Sequence, residues 1–136
     1  MGMRAAKGMN PRRPLRVLLV DDDADVLVML QAVLTSRSLD VVGLATSGGD
    51  AERVAAAIAP DVAVVDYMMP GMTGLETAER IKAVRPQCTV IIFSALAELA
   101  AEAGQHPAVD HFVPKSDILA LEALLQDMRT ARHIAE

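Results

Sequence analysis

From residue 15 onward the chain alternates short β-branched runs with stretches of helical periodicity, five times over. The strand candidates are 15–20 (LRVLLV), 40–45 (DVVGLA), 61–65 (DVAVV), 88–93 (CTVIIF) and 109–113 (VDHFV). Helical spacing marks 23–36, 49–59, 74–85, about 95–104 and 116–131. In the first of these helices Val26, Met29, Leu30 and Val33 read as the core-facing stripe, with Leu34 at its flank. Pro60 and Pro86 stand just past helix ends, where they cannot continue the helix. Five strands interleaved with five helices predict an α/β fold: an open, mostly parallel sheet covered on both faces. With no internal repeat, one domain over 15–136 is expected, preceded by a short tail, 1–14.

Charge and cysteine usage narrow the setting. Of 13 basic residues, five (Arg4, Lys7, Arg12, Arg13 and Arg16) fall within 1–16, where there is no acid, leaving 8 basic against 18 acidic residues. Such an acidic body argues against nucleic-acid binding by the domain, and the basic segment with Pro11 and Pro14 reads as a flexible leader. No apolar run is long enough to cross a bilayer and nothing resembles a signal peptide. The single Cys88 sits in the apolar run CTVIIF and reads as a small buried hydrophobe. A cytoplasmic, disulfide-free protein with no membrane association is expected.

In open parallel sheets, ligands sit at the carboxyl ends of the strands, beside the point where strand order reverses. Asp21 and Asp22 follow the first strand candidate, Asp66 the third, Ser94 the fourth and Lys115 the fifth. Each alone has an ordinary explanation: a helix start, a turn, a cap, a surface lysine. Together they bring carboxylates, a hydroxyl and an ammonium to one edge. Converging carboxylates without His or Cys suit a hard cation, Mg²⁺ or alternatively Mn²⁺. A lysine and a hydroxyl facing them would hold phosphoryl oxygens, and the nucleophile for phosphoryl transfer would be a carboxylate, with Asp66 the candidate.

The pieces VLLVDDD, VAVVDYMMPGMTGLE, VIIFSA and FVPKS, in that order and over about residues 15 to 131, resemble the receiver domain of bacterial two-component response regulators. The resemblance implies a flavodoxin-like, doubly wound five-stranded parallel sheet, order 2-1-3-4-5, with five helices. It implies Asp66 as phospho-acceptor. Asp22, Asp66 and the Met68 backbone carbonyl would bind Mg²⁺, and Asp21 would reach it through water. Ser94 would donate to the phosphoryl group and Lys115 would pair with it. Phe112 matches the aromatic that turns inward when Ser94 is drawn toward the phosphate. The implied donor is a phosphohistidine on a sensor histidine kinase or histidine phosphotransfer protein. Output is expected through a downstream partner protein, and dimerisation is compatible with the resemblance. The resemblance implies a signalling domain that catalyses its own phosphorylation and dephosphorylation rather than a metabolic enzyme. Without metal, the acidic edge is expected to hold raised carboxylate pKa values.

The sequence departs from the family pattern in three places. The usual Lys-Pro order is replaced by Pro114-Lys115-Ser116, an acid is replaced by Thr73, read as a surface-turn change, and 104–111 (GQHPAVDH) lacks the small residues usual before the last strand. By the resemblance, Met68 and Leu96 occupy the family positions, two residues past Asp66 and Ser94, that influence attack by water; both are apolar here, which implies slow hydrolysis. On the first helix Val28, Gln31, Ala32 and Thr35, with Leu27 at the flank, read as an uncharged docking face. His106, His111 and His133 have no carboxylate or Cys partner at metal-ligand spacing in the sequence and read as surface residues. A haloacid-dehalogenase-type phosphohydrolase would need Thr or Val where Asp25 stands, and a flavin module would suffer from three acids at its phosphate loop. A degenerate receiver that binds partners without phosphorylation is the remaining alternative.

Overall fold

The computed structural model describes residues 14–135, with side-chain surroundings through 131. The basic leader therefore lies almost wholly outside the described residues. Strands β1 (Arg16–Val20), β2 (Asp40–Ala45), β3 (Val62–Val65), β4 (Thr89–Ser94) and β5 (His111–Pro114) form one parallel sheet in the order β2-β1-β3-β4-β5. They alternate with helices α1 (Ala24–Ser36), α2 (Gly48–Ile58), α3 (Gly74–Val84), α4 (Ala100–Gln105) and α5 (Ile118–Ala135). The flavodoxin-like order expected from the sequence is the order found.

The period of two along each strand sorts the core into two layers. Leu18, Val20, Ala63, Val65, Val90 and Ile92 face the small side chains Ala51, Ala55, Ala78 and Ala103 of α2, α3 and α4. Val17, Leu19, Val62, Val64, Ile91 and Phe93 face the larger Leu27, Leu30, Leu34, Leu121 and Leu125 of α1 and α5. Cys88 is fully buried in the first layer, and burial pushes its thiol up to about 12, which leaves it an unreactive packing residue. No helix among the described residues is long and apolar enough to cross a membrane.

The structure departs from two sequence expectations. The buried stripe of α1 is Leu27, Leu30 and Leu34, whereas Met29 is 46% exposed. Eight of the nine residues 26–34 are apolar, so periodicity could not choose the face; the packing against α5 and the sheet does. Leu34→Ala is accordingly expected to lower the unfolding free energy by about 3 kcal/mol. Met29→Ala should change it by under about 0.5 kcal/mol. Denaturant titration of the two variants separates these stripes.

The fourth helix is shorter at its start than its sequence suggests. It begins at Ala100 rather than near 95, after a 3₁₀ turn over Ala97–Leu99. The Ser94 hydroxyl accepts the N–H of Leu96 at 3.1 Å, which turns the chain and competes with a helix start there. No side chain caps either the 3₁₀ turn or α4.

Candidate functional site

The strand order reverses at β1, which pairs with β2 on one side and β3 on the other, and the carboxyl ends of β1 and β3 meet there. Asp21 leaves β1 with its N–H bonded to the Ala45 carbonyl, and Asp66 leaves β3 with its N–H bonded to Val20. Both carboxylates are buried, at 3% and 7% exposure, while Asp22 is exposed. One oxygen from each of Asp21, Asp22 and Asp66 lies within 4.8 Å of the others. Three carboxylates at that spacing fit a divalent cation, since one or two protein carboxylates, a carbonyl and waters satisfy Mg²⁺.

Lys115 supplies the positive charge. The Lys115 N–H bonded to the Ser94 carbonyl at 2.8 Å fixes the start of the loop after β5 against the end of β4. Its Nζ stands 2.7 Å from Asp21 Oδ2 and 3.3 Å from Asp66 Oδ1. Burial works against the ammonium, but the hydrogen bond to Asp21 and the charges of Asp66 and Asp21 outweigh it, and its pKa is raised. Asp66 also titrates above the usual carboxylate range. Burial is the main cause, the Asp21 charge adds to it, and Lys115 only partly offsets the two.

The three consecutive acids do different things. Asp23 is the N-cap of α1 and accepts the N–H groups of Asp25 and Val26. Asp21 accepts the Asp23 N–H at 2.9 Å through Oδ1 and Lys115 through Oδ2. Asp22 faces solvent beside Tyr67, Met68, Met69, Pro70 and Thr73, which line an open pocket with it. Ser94 is fully buried with its hydroxyl at the end of β4, and Phe112 is half-buried against the α2–α3–α4 layer. Met68 is 59% exposed.

The family model for the response regulator receiver domain matches residues 17–126. This chain belongs to the receiver-domain family. It is 38% identical over 117 residues to a protein-glutamate methylesterase/protein-glutamine glutaminase of Myxococcus xanthus, covering 83% of this chain and 33% of that protein. The receiver thus spans about a third of that relative. To the chemotaxis protein CheY of Thermotoga maritima it is 34% identical over 85 residues, 62% of this chain and 71% of that protein. The response regulator domain of Thermotoga maritima CheB superposes with a TM-score of 0.75 at 27% identity, covering 91% of this chain and 99% of that one.

Several receiver residues differ from the sequence expectation. Leu27, named for docking, is 3% exposed and belongs to the core; Val28 at 62%, Met29, Ala32 and Thr35 are exposed on that helix. Thr73 does more than occupy a surface turn. It is the N-cap of α3 in a capping box, accepting the Glu76 N–H while Glu76 Oε1 accepts its own N–H. His106, read as a surface residue, is half-buried: Nε2 lies 3.2 Å from Glu79 Oε2, 27 residues away in sequence, and Nδ1 accepts the Ala108 N–H. His111 is exposed, and the His133 side chain lies outside the described residues. No peptide bond among the described residues is cis, the one before Pro114 included.

Proposed function

We propose that this receiver accepts a phosphoryl group on Asp66 from a phosphohistidine donor and changes partner binding as a result. The observation that carries the reading is the convergence of buried Asp66 with Asp21, Asp22 and Lys115 at the carboxyl edge, with the Ser94 hydroxyl at the adjacent strand end. Asp66, Asp22 and the Met68 carbonyl would hold Mg²⁺, with Asp21 reaching it through water. When bound, the ion would neutralise charge on the phosphoryl oxygens. An Asp66 carboxylate oxygen attacks phosphorus, the P–N bond breaks, and the imidazole leaves with that electron pair and takes a proton. Lys115 pairs with the oxygens that gain charge, and Ser94 donates its hydroxyl to one of them. Phe112 follows Ser94 inward, which alters the surface formed by β5 and its neighbours. Water later attacks phosphorus, the P–O bond to Asp66 breaks, and the carboxylate is restored.

A sensor histidine kinase or histidine phosphotransfer protein is the proposed donor, docking on Val28, Met29 and Ala32, and a separate output protein reads the state. Val28→Lys is expected to slow transfer from the cognate donor at least tenfold, about 1.4 kcal/mol, without slowing labelling by a small phosphodonor. Equal rates from both would remove the docking face from the proposal.

The acceptor reading is tested by incubating the protein with Mg²⁺ and a small phosphodonor, followed by mass spectrometry. One phosphoryl group on the wild type and none on Asp66→Asn is the expected result. Turnover of a free phosphomonoester would point to a hydrolase, and no label even from phosphohistidine donors would point to a degenerate receiver. Once labelled, the protein is expected to hydrolyse slowly, because Met68 and Leu96 offer no strong hydrogen bond to incoming water. Met68→Asn with Leu96→Glu should raise the dephosphorylation rate about tenfold or more. An unchanged decay of the label would show that these two positions do not control water.

A further inference from the structure

The segment joining Asp66 to α3 is held from more sides than a surface turn requires. The Gly74 N–H donates to the Tyr67 carbonyl at 2.8 Å and closes the loop between them. Thr77, fully buried, donates its hydroxyl to the Thr73 carbonyl at 2.8 Å. Gly71 turns the chain with φ +82°. The tightest approach to backbone atoms is at Gly74 itself. A Cβ there would stand 2.6 Å from the Asp66 carbonyl oxygen and 2.7 Å from the Tyr67 Cα, where real Cβ contacts essentially never fall below 3.0 Å. Those are peptide atoms of the proposed acceptor and its neighbour, and they cannot rotate aside as a side-chain tip can.

Backbone conformation does not require glycine at this position. Gly74 lies outside the left-handed region, and it is the first residue of α3, where alanine is the better helix former. Only space demands it. We propose that Gly74 is a positioning residue for the phosphoryl-acceptor site: its missing side chain lets α3 begin directly against the Asp66–Tyr67 peptide. That contact sets where the Asp66 carboxylate and the Met68 carbonyl stand. The inference rests on the acceptor reading of Asp66 and adds a residue that touches no reactant.

The test compares Gly74→Ala with Gly43→Ala, a glycine whose added Cβ would meet only side-chain atoms of Ile58, Val54 and Leu18. Displacing a reacting group by up to an ångström costs about ten- to a hundredfold. Gly74→Ala is therefore expected to weaken Mg²⁺ binding by about tenfold in calorimetry and to slow labelling by a small phosphodonor at saturating Mg²⁺ at least as much. Gly43→Ala is expected to lower the thermal midpoint and to keep the wild-type Mg²⁺ affinity. Wild-type affinity and rate in Gly74→Ala would overturn the proposal, and so would equal losses in Gly43→Ala, which would signify general loosening. If Gly74→Ala does not fold, Thr77→Val serves instead. It removes the hydroxyl that holds the Thr73 carbonyl, and severalfold weaker Mg²⁺ binding supports the proposal, whereas unchanged binding overturns it. A wild type that neither binds Mg²⁺ nor takes the label removes the acceptor reading, and the inference with it, before any variant is compared.

Discussion

Asp66→Asn is expected to take no phosphoryl group under conditions that label the wild type, and in metal-free buffer it is expected to be the more stable protein. The second outcome follows from the raised pKa of Asp66, caused first by burial and then by the Asp21 charge. A carboxyl whose pKa is higher folded than unfolded binds more protons in the folded state between the two values. Stability therefore falls as pH rises through that window. Above the raised pKa the full penalty of the buried charge is present; below the ordinary value of 3.8 it is absent. Asparagine carries no charge and escapes it. The advantage of Asp66→Asn should be greatest near neutral pH and shrink on acidification. A difference of about 1 kcal/mol would move the thermal midpoint of a chain this size by about 3–5 °C. Adding Mg²⁺ should narrow or reverse the gap, because a ligand of the folded wild type stabilises it by mass action. Thermal unfolding of both proteins across pH, with chelator and with Mg²⁺, checks each part. A wild type that is the more stable without metal at neutral pH would mean that Lys115 compensates Asp66 fully.

The strands were legible because they are short, mostly apolar runs, and four of the five lead into a charged or hydroxyl residue that could not be buried without a purpose. The observed strands begin and end within a residue or two of those read from LRVLLV, DVVGLA, DVAVV, CTVIIF and VDHFV. The face of α1 was not legible, since almost every residue from 26 to 34 is apolar and only the arrangement of α5 and the sheet chooses among them. The start of α4 was hidden for the opposite reason. ALAELAAEAG has strong helical propensity throughout, and a single hydroxyl at Ser94 redirects its first turn. The capping box was present in the sequence as Thr73-x-x-Glu76 and could have been read from that spacing alone.

At the site, the chemistry of each residue was legible but the pairing was not. Asp21, Asp22, Asp66, Ser94 and Lys115 were each marked by their place at a strand end. Nothing local tells that Lys115 reaches Asp21, 94 residues away, more closely than it reaches Asp66. The His106–Glu79 contact spans 27 residues and is equally silent. The close approach of Gly74 to the Asp66 carbonyl is a matter of empty space, which residue types and spacings do not record.

The Lys115–Asp21 pairing leads to the other large effect expected, in Lys115→Met. In the metal-free protein this substitution removes the ammonium from two buried carboxylates and leaves Asp22 beside them. Breaking a buried pair by deleting one partner typically costs 3–5 kcal/mol. Because the Lys115 side chain is still 24% exposed, a loss of about 2–3 kcal/mol is expected. The same deletion should strengthen Mg²⁺ binding, since Lys115 and a cation compete for oxygens of Asp21 and Asp66. Labelling by a small phosphodonor should nevertheless fall by about a hundredfold or more, the usual cost of losing one group aimed at the developing charge. Tighter metal binding with slower transfer separates a lysine that serves the phosphoryl group from one that merely neutralises acids. If affinity and rate fall together, Lys115 holds Asp21 and Asp66 in place for the cation, and the charge on the phosphoryl oxygens must be met by Ser94 and the metal alone.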